Sequence, residues 1–248
     1  KLMEKASSLF ENLYKCIRQT ALGDPYKAAD ETYYKILVPE KNSKGKGVRK
    51  GYLWVVVGIN TRMIYLLYDD GSRSEKVILN ELGGCKGIIQ SDGYSPYRKL
   101  ESDAYPHITR IPCLQHIKRK FIDCGEDEPD AKRIVELINT LYQNEHKHKI
   151  GVDGWTVEQN LVHRKKYAPD ILGEIKDVLD DIEERGDLLP KSELKEAVTY
   201  LRNEWNAVVD IFNYGDTYLD NNIVERMNRY ISLSRKNSLF FGSHKGAE

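Results

Sequence analysis

The sequence predicts an α/β protein: a mixed sheet flanked by helices, with a helical insertion before the last core helix. Three observations predict it. The first half holds near-continuous apolar runs, "GYLWVVVGIN" and "MIYLLYDDG", of the kind buried on both faces of a sheet. The second half changes to helical spacing: Ile134, Ile138 and Leu141; Ile171, Ile175, Val178 and Ile182; then Leu194, Ala197, Val198, Leu201, Trp205, Val208 and Phe212. Beyond these stripes "LDNNIVERMNRY" opens a final helix, with Asp220 as its expected N-cap.

Taken in order, "KAADETYYKILV" reads as the first strand, followed by a Gly/Lys loop. The two apolar runs are the next strands, joined as a hairpin through "GINTR", and "DDGS" marks the exit. Ser74 to Leu82 fits a short helix that stops at Gly83-Gly84. "KGIIQSDGY" is a fourth strand with Asp92 at its C-terminal end, and a short helix around Pro96–Leu100 leads to a fifth, "HITRIPCL". This order agrees with a ribonuclease H-like core. The gap between Asp92 and Glu225 is far longer than one strand–helix unit needs. The expected division is therefore a first part of the core at 1–124, a helical insertion at 125–212, and a C-terminal part at 213–248 that carries Glu225.

Composition narrows the function classes. The chain has 248 residues, 40% hydrophobic, with 16 Tyr, enough for a substantial core. No apolar stretch approaches the roughly 20 residues a bilayer span requires, so no membrane partner is expected. "KLMEKASSLFENLYKCIRQ" is amphipathic and charged, unlike a signal peptide. Cys16, Cys85, Cys113 and Cys124 show no disulfide spacing, which points to a reducing cytoplasm. The absence of an initiator Met reads as a stretch of a longer protein. Lys and Arg total 38 against 38 Asp and Glu, yet the charge is unevenly spread. Residues 41–50 carry five positive charges and no acid, and 108–121 carries Arg110, Lys118, Arg119 and Lys120. Residues 170–187 hold eight acids and two bases, so that helix should face solvent or protein rather than DNA. Separated patches allow a polyanion partner without requiring one.

The acidic pair Asp30-Glu31 sits inside the first predicted strand, where an unpaired charge is costly to bury. An edge strand with a wet face would explain it. The alternative uses the sheet's geometry. Functional groups gather at strand ends near a crossover, and the first and fourth strands are neighbours in a ribonuclease H-like sheet. Asp30 and Asp92 would then be close, and a final helix packed beside them could present Glu225. Three converging carboxylates repel unless cations neutralise them, and their hard oxygens suit Mg²⁺ or Mn²⁺. Two such ions can activate a water or 3′-hydroxyl and stabilise the leaving oxygen of a phosphodiester. Asn222 and Arg229 flank Glu225 on the same predicted helix face.

The stretches "ADET", "GYLWVVVG", "IIQSDGY", "CLQHIKRKF", "LDNNIVERMNR" and "SRKNSLFFGSHKGAE" together resemble the catalytic domain of insertion sequence 66 family transposases, a bacterial DDE group. They occur in the family's order, from about residue 27 to the end, and the last two are the most specific. The resemblance implies a ribonuclease H-like fold, two divalent metal ions, and a DNA partner at element ends and target. It also implies phosphodiester cleavage with strand transfer during transposition, and a homo-oligomer once synapsed on DNA. The acidic triad maps onto Asp30, Asp92 and Glu225 as catalytic metal ligands. Tyr33-Tyr34 stand where the family usually has Pro-Val, Ser234 where it often has Gly, and Lys118 where it often has Arg. None of these departures removes a ligand. The family's N-terminal DNA-binding and zinc-binding segments are not in this sequence.

Given alternation along a strand, Glu31 should face away from Asp30 and serve a structural or supporting role. Cys113 and His116 could be half of a zinc site completed by Cys124 or His107, although no clean second ligand pair exists. The resemblance instead puts His116 near the active site, contacting phosphate or a metal-bound water, with a core histidine at a strand-to-helix junction as the alternative. The expected DNA contacts are His116, Arg119, Lys120, Asn222, Arg226, Arg229, Arg235 and Lys236, while Phe240 and Phe241 pack into the core. Trp155 should pack, with stacking on a flipped base as the alternative. The run at 41–50 fits solvation as well as DNA. Two other functions stay open: a ribonuclease H-like nuclease or resolvase that only hydrolyses, and an inactive relic that binds or regulates DNA.

Overall fold

The computed structural model describes residues 2–41, 45, 47–186, 188–238 and 241–246, with side chains from residue 8 onward. Phe240 and part of the basic run at 41–50 lie outside the described residues. The chain divides into two compact units, Lys1–Arg110 with Asn221–Glu248, and Ile111–Asp220.

In the first unit α1 (Leu2–Gly23) precedes β1 (Tyr26–Leu37), β2 (Val48–Gly58) and β3 (Ile64–Tyr68). Then come α2 (Glu75–Leu82), β4 (Gly87–Ser91), α3 (Ser95–Arg98) and β5 (Ile108–Pro112), the last of which carries the chain across the boundary. The sheet order is β3-β2-β1-β4-β5. It is mixed: β1 runs antiparallel to β2, with Asp30 opposite Val55, and parallel to β4 over Tyr26–Ala28.

Both faces of the sheet are covered, which is why "YLWVVV" is apolar without interruption. On one face Ala29, Trp54, Val56 and Ile89 pack with Val77, Ile78 and Leu82 of α2 and Tyr97 of α3. On the other, Ala28, Tyr34, Leu53, Val55 and Val57 pack with Val224 and Ile231. Those two residues belong to α8 (Asn222–Asn237), described below. Alternation along each strand sends neighbours to opposite faces, so Asp30 and Glu31 inherit different surroundings. Gly87 opens β4 at φ +91°, where a Cβ would lie 2.2 Å from the Pro25 carbonyl oxygen. Only glycine lets β4 start this close to the head of β1.

The second unit holds α4 (Leu114–Asp123), α5 (Pro129–Glu145), α6 (Val157–Arg185) and α7 (Glu193–Ile211). Their apolar stripes bury against one another: Ile117 and Phe121 of α4, Ile134, Ile138 and Leu141 of α5, Ile171, Ile175 and Ile182 of α6, and Ala197, Val198 and Leu201 of α7. α6 begins with a Thr156/Gln159 capping box and ends at Gly186 in the left-handed region, φ +65°. Trp155 is partly buried. Its ring stacks on His148 at 3.8 Å, and its Nε1 donates to Asn160 Oδ1 at 3.3 Å.

The chain returns to the first unit in α8 (Asn222–Asn237). Its N-cap is Asn221, one residue later than the sequence suggested, and the Asn221 side chain makes no cap bond. Its amide is spent on the sheet instead: Nδ2 donates to the Ala29 carbonyl at 3.1 Å. After α8, Phe241 bridges to Ile36, its N–H donates to the Lys35 carbonyl at 2.8 Å, and its ring stacks on Tyr34 at 4.0 Å.

Candidate active site

Three elements of the first unit bring carboxylates together. β1 supplies Asp30 from its middle. β4 ends at Ser91, so Asp92 lies just past the sheet, where its Oδ1 accepts the Tyr94 N–H at 3.0 Å and shapes the turn into α3. α8 supplies Glu225 from its first turn. The electrostatics show that they share one neighbourhood. Burial pushes the Asp30 carboxyl up to about 8, and the charges of Glu31, Asp92 and Glu225 push in the same direction. The Glu31 N–H, donating to Asp30 Oδ1 at 2.8 Å, opposes them. Asp30 Oδ2 accepts from Asn228 Nδ2 at 2.6 Å.

Glu31 faces the other way and has its own partners. Its side chain is 3% exposed and takes two N–H donors from Arg73, at 2.9 and 2.5 Å, and the Tyr97 hydroxyl at 3.3 Å. The Arg73 guanidinium lies over the Tyr94 ring at 4.1 Å. Burial first, then the Asp92 charge, raise the Glu31 carboxyl, while Arg73 lowers it. Glu31 thus pairs with a cation, whereas Asp30 is held by a backbone N–H and an amide.

Carboxylates are hard-oxygen donors of the kind that suit divalent cations. A cation would relieve the cost that crowding and burial place on the Asp30 charge. Among the described residues Asp30, Asp92 and Glu225 do not bring even one oxygen each within 4.8 Å of one another, so the cluster is open.

The remaining expected site residues are more scattered. On α8, Asn222, Arg226, Arg229 and Lys236 are exposed. Arg235 is engaged within the fold: Nη1 donates to the Tyr33 carbonyl at 2.6 Å, Nη2 donates to Ser232 Oγ at 2.5 Å, and the guanidinium lies over the Tyr33 ring at 4.6 Å. His116, Arg119 and Lys120 lie on α4 in the second unit, with Arg119 and Lys120 exposed. Donor atoms of Cys113 and His116 come within 4.8 Å of each other. The Cys124 thiol bonds the Lys120 carbonyl at 3.3 Å, and His107 belongs to the other unit. Asn221, Asn228, Arg73 and Tyr97 were missed by the sequence reading. Asn228 and Asn221 left a local signal, three residues after and four before Glu225 and therefore on its helix face.

The model of the Transposase IS66 family matches residues 1–248. The chain belongs to that family. Its curated relatives include three uncharacterized proteins of Sinorhizobium fredii. One, y4jD, is 30% identical over 184 residues, covering 71% of this chain and 35% of the relative. Another, y4qI, is 29% identical over 233 residues, covering 88% of this chain and 41% of the relative. This IS66-family chain therefore spans between 35% and 41% of the length of the relatives it matches. No helix among its described residues is long and apolar enough to cross a membrane.

Proposed function

We propose that this chain carries the catalytic core of a DDE DNA transposase on a ribonuclease H-like fold. The observation that carries the reading is the crowding at Asp30, a carboxyl on the central strand pushed up to about 8 by burial and by Glu31, Asp92 and Glu225. A merely structural acid would be expected to have a cationic partner, as Glu31 has in Arg73. The order β3-β2-β1-β4-β5 puts β1 beside β4, as a ribonuclease H-like core requires.

Asp30, Asp92 and Glu225 would hold two divalent ions, Mg²⁺ or Mn²⁺. Bound there, the ions would lower the pKa of an attacking water or 3′-hydroxyl and stabilise the leaving oxygen of a phosphodiester. The chain's own residues orient and bind. The Glu31 N–H and Asn228 fix the two Asp30 oxygens, and the turn after β4 fixes Asp92. Arg226, Arg229 and Lys236, exposed on the helix that bears Glu225, offer phosphate contacts beside it, with Asn222 at the helix start. Arg119 and Lys120 offer further contacts on α4, with His116 on the same helix. DNA ends and target would be the partners, with a multimer formed on DNA.

The test is DNA cleavage and strand transfer with Mn²⁺. Wild-type chain should nick or join DNA carrying the element's ends, and Asp92→Asn should be inactive. Equal activity in Asp92→Asn would sink the assignment.

A further inference from the structure

α8 is registered along β1 by polar side chains. β4 pairs with β1 only over Tyr26–Ala28, and α8 reaches the carbonyls beyond. Asn221 Nδ2 donates to the Ala29 carbonyl at 3.1 Å, and Arg235 Nη1 to the Tyr33 carbonyl at 2.6 Å. Asn221, Glu225, Asn228 and Arg235 recur at intervals that place them on one helical face. The two outer residues hold backbone and fix the level of the helix. Between them, Glu225 and Asn228 are presented to the middle of β1.

Asn228 differs from the outer pair because it holds a carboxylate. Its Nδ2 lies 2.6 Å from Asp30 Oδ2, while the Glu31 N–H holds Oδ1 at 2.8 Å, so both Asp30 oxygens are fixed. The cost appears on the other side of the same amide, where Asn228 Oδ1 is buried without a hydrogen-bond partner among the described residues. A position kept for packing would favour an apolar side chain of similar size, since a half-satisfied buried amide is worse than none.

We propose that Asn228 is a positioning residue of the metal site, holding the Asp30 carboxylate in the orientation that receives a divalent cation. The inference rests on the reading of Asp30 as a metal ligand and adds a residue that the acidic triad does not contain. Ligating carboxylates are commonly oriented in this way, and loss of such a partner costs about 10–100-fold in metal affinity.

The test is electron paramagnetic resonance of free Mn²⁺ titrated with wild type, Asn228→Ala and Asn228→Leu, with circular dichroism to establish folding. Ala leaves a cavity, whereas Leu fills the space without a donor. Both should bind Mn²⁺ at least about tenfold more weakly than wild type. Wild-type affinity in the Leu variant would reduce Asn228 to packing and overturn the proposal, leaving the acidic site intact. Absence of Mn²⁺ binding by the wild type, with DNA present as well as without it, would overturn both this proposal and the reading it rests on.

Discussion

Asp30→Asn should make the metal-free chain more stable at pH 8 while abolishing DNA cleavage. The folded carboxyl is pushed up to about 8, whereas in an unfolded chain it titrates near 3.8. Between those values the folded state binds a proton that the unfolded state has released. The associated stability is therefore fully present below about pH 4 and is lost as pH rises towards 8. The decline has a ceiling of about 1.4 kcal/mol per pH unit for one proton. Asn carries no charge, so the variant should lose most of this slope. Glu31, whose carboxyl is also raised, contributes to the residual slope. Thermal melting from pH 4 to 8 in chelator would show the difference. Saturating Mn²⁺ should stabilise the wild type most at the upper end of that range, because protons and metal compete for the same oxygens. Activity should fall on the order of a thousandfold or more, since the charge stabilisation supplied by a correctly held ion is worth several kcal/mol. A variant more stable yet inactive separates this account from one in which Asp30 merely supports the fold. Equal slopes in the two proteins would show that Asp30 is not the crowded group.

Arg164→Ala should be the most damaging single change in the second unit, costing about 3–5 kcal/mol. The Arg164 side chain is 1% exposed. Its Nε and Nη2 grip both oxygens of Glu145 at 2.8 and 2.6 Å, tying α6 to α5. Nη1 reaches the Ile211 carbonyl at 3.2 Å and Thr217 Oγ1 at 2.6 Å, and Nη2 also reaches the Thr217 carbonyl at 2.6 Å. Removing it leaves the Glu145 carboxylate, which also accepts from Tyr167, without its cation, and strips donors from the segment after α7. Lys would restore the charge but not the planar fork, so Arg164→Lys should fall between wild type and Ala. Urea denaturation followed by helical circular dichroism would rank the three. An Ala variant within about 0.5 kcal/mol of wild type would be the loss expected of an ordinary surface residue and would contradict the assignment.

Arg164 also shows what the sequence hides. In "VHRKKY" it reads as part of a solvated charge run, because its partner Glu145 belongs to the preceding helix and its carbonyl acceptors lie beyond the next one. Local pattern carries no trace of such pairing. The strands were far more legible. A run like "YLWVVV" has no polar face to give to water, and two covered sheet faces follow from it. The α2 stop at Gly83 was equally local. α1 was visible only as an amphipathic stretch, since Leu9, Phe10 and Leu13 remain exposed and advertise no core face.

At the candidate site the legible part was the acids in their motifs, and the illegible part was their company. Spacing cannot choose three acids from 38. The face of α8 was read one residue out of step: Asn222 and Arg229 are exposed, while Asn221, Asn228 and Arg235 meet β1. Positions three and four residues from Glu225 both lie near its face, so spacing alone does not choose between Asn221 and Asn222, or between Asn228 and Arg229. Arg235 also holds the Tyr33 carbonyl, an acceptor on the edge of β1 beyond its pairing with β4, which no local pattern announces.

On the proposed function, Asp30, Asp92 and Glu225 form one divalent-metal site. Calorimetric titration of Mn²⁺ into the wild type, Asp92→Asn and Glu225→Gln tests it most directly, with and without DNA. The account predicts binding by the wild type and affinity at least about tenfold weaker in each variant, although the two acids lie far apart in sequence. Wild type silent at millimolar Mn²⁺ even with DNA present, or variants that bind as it does, would contradict it.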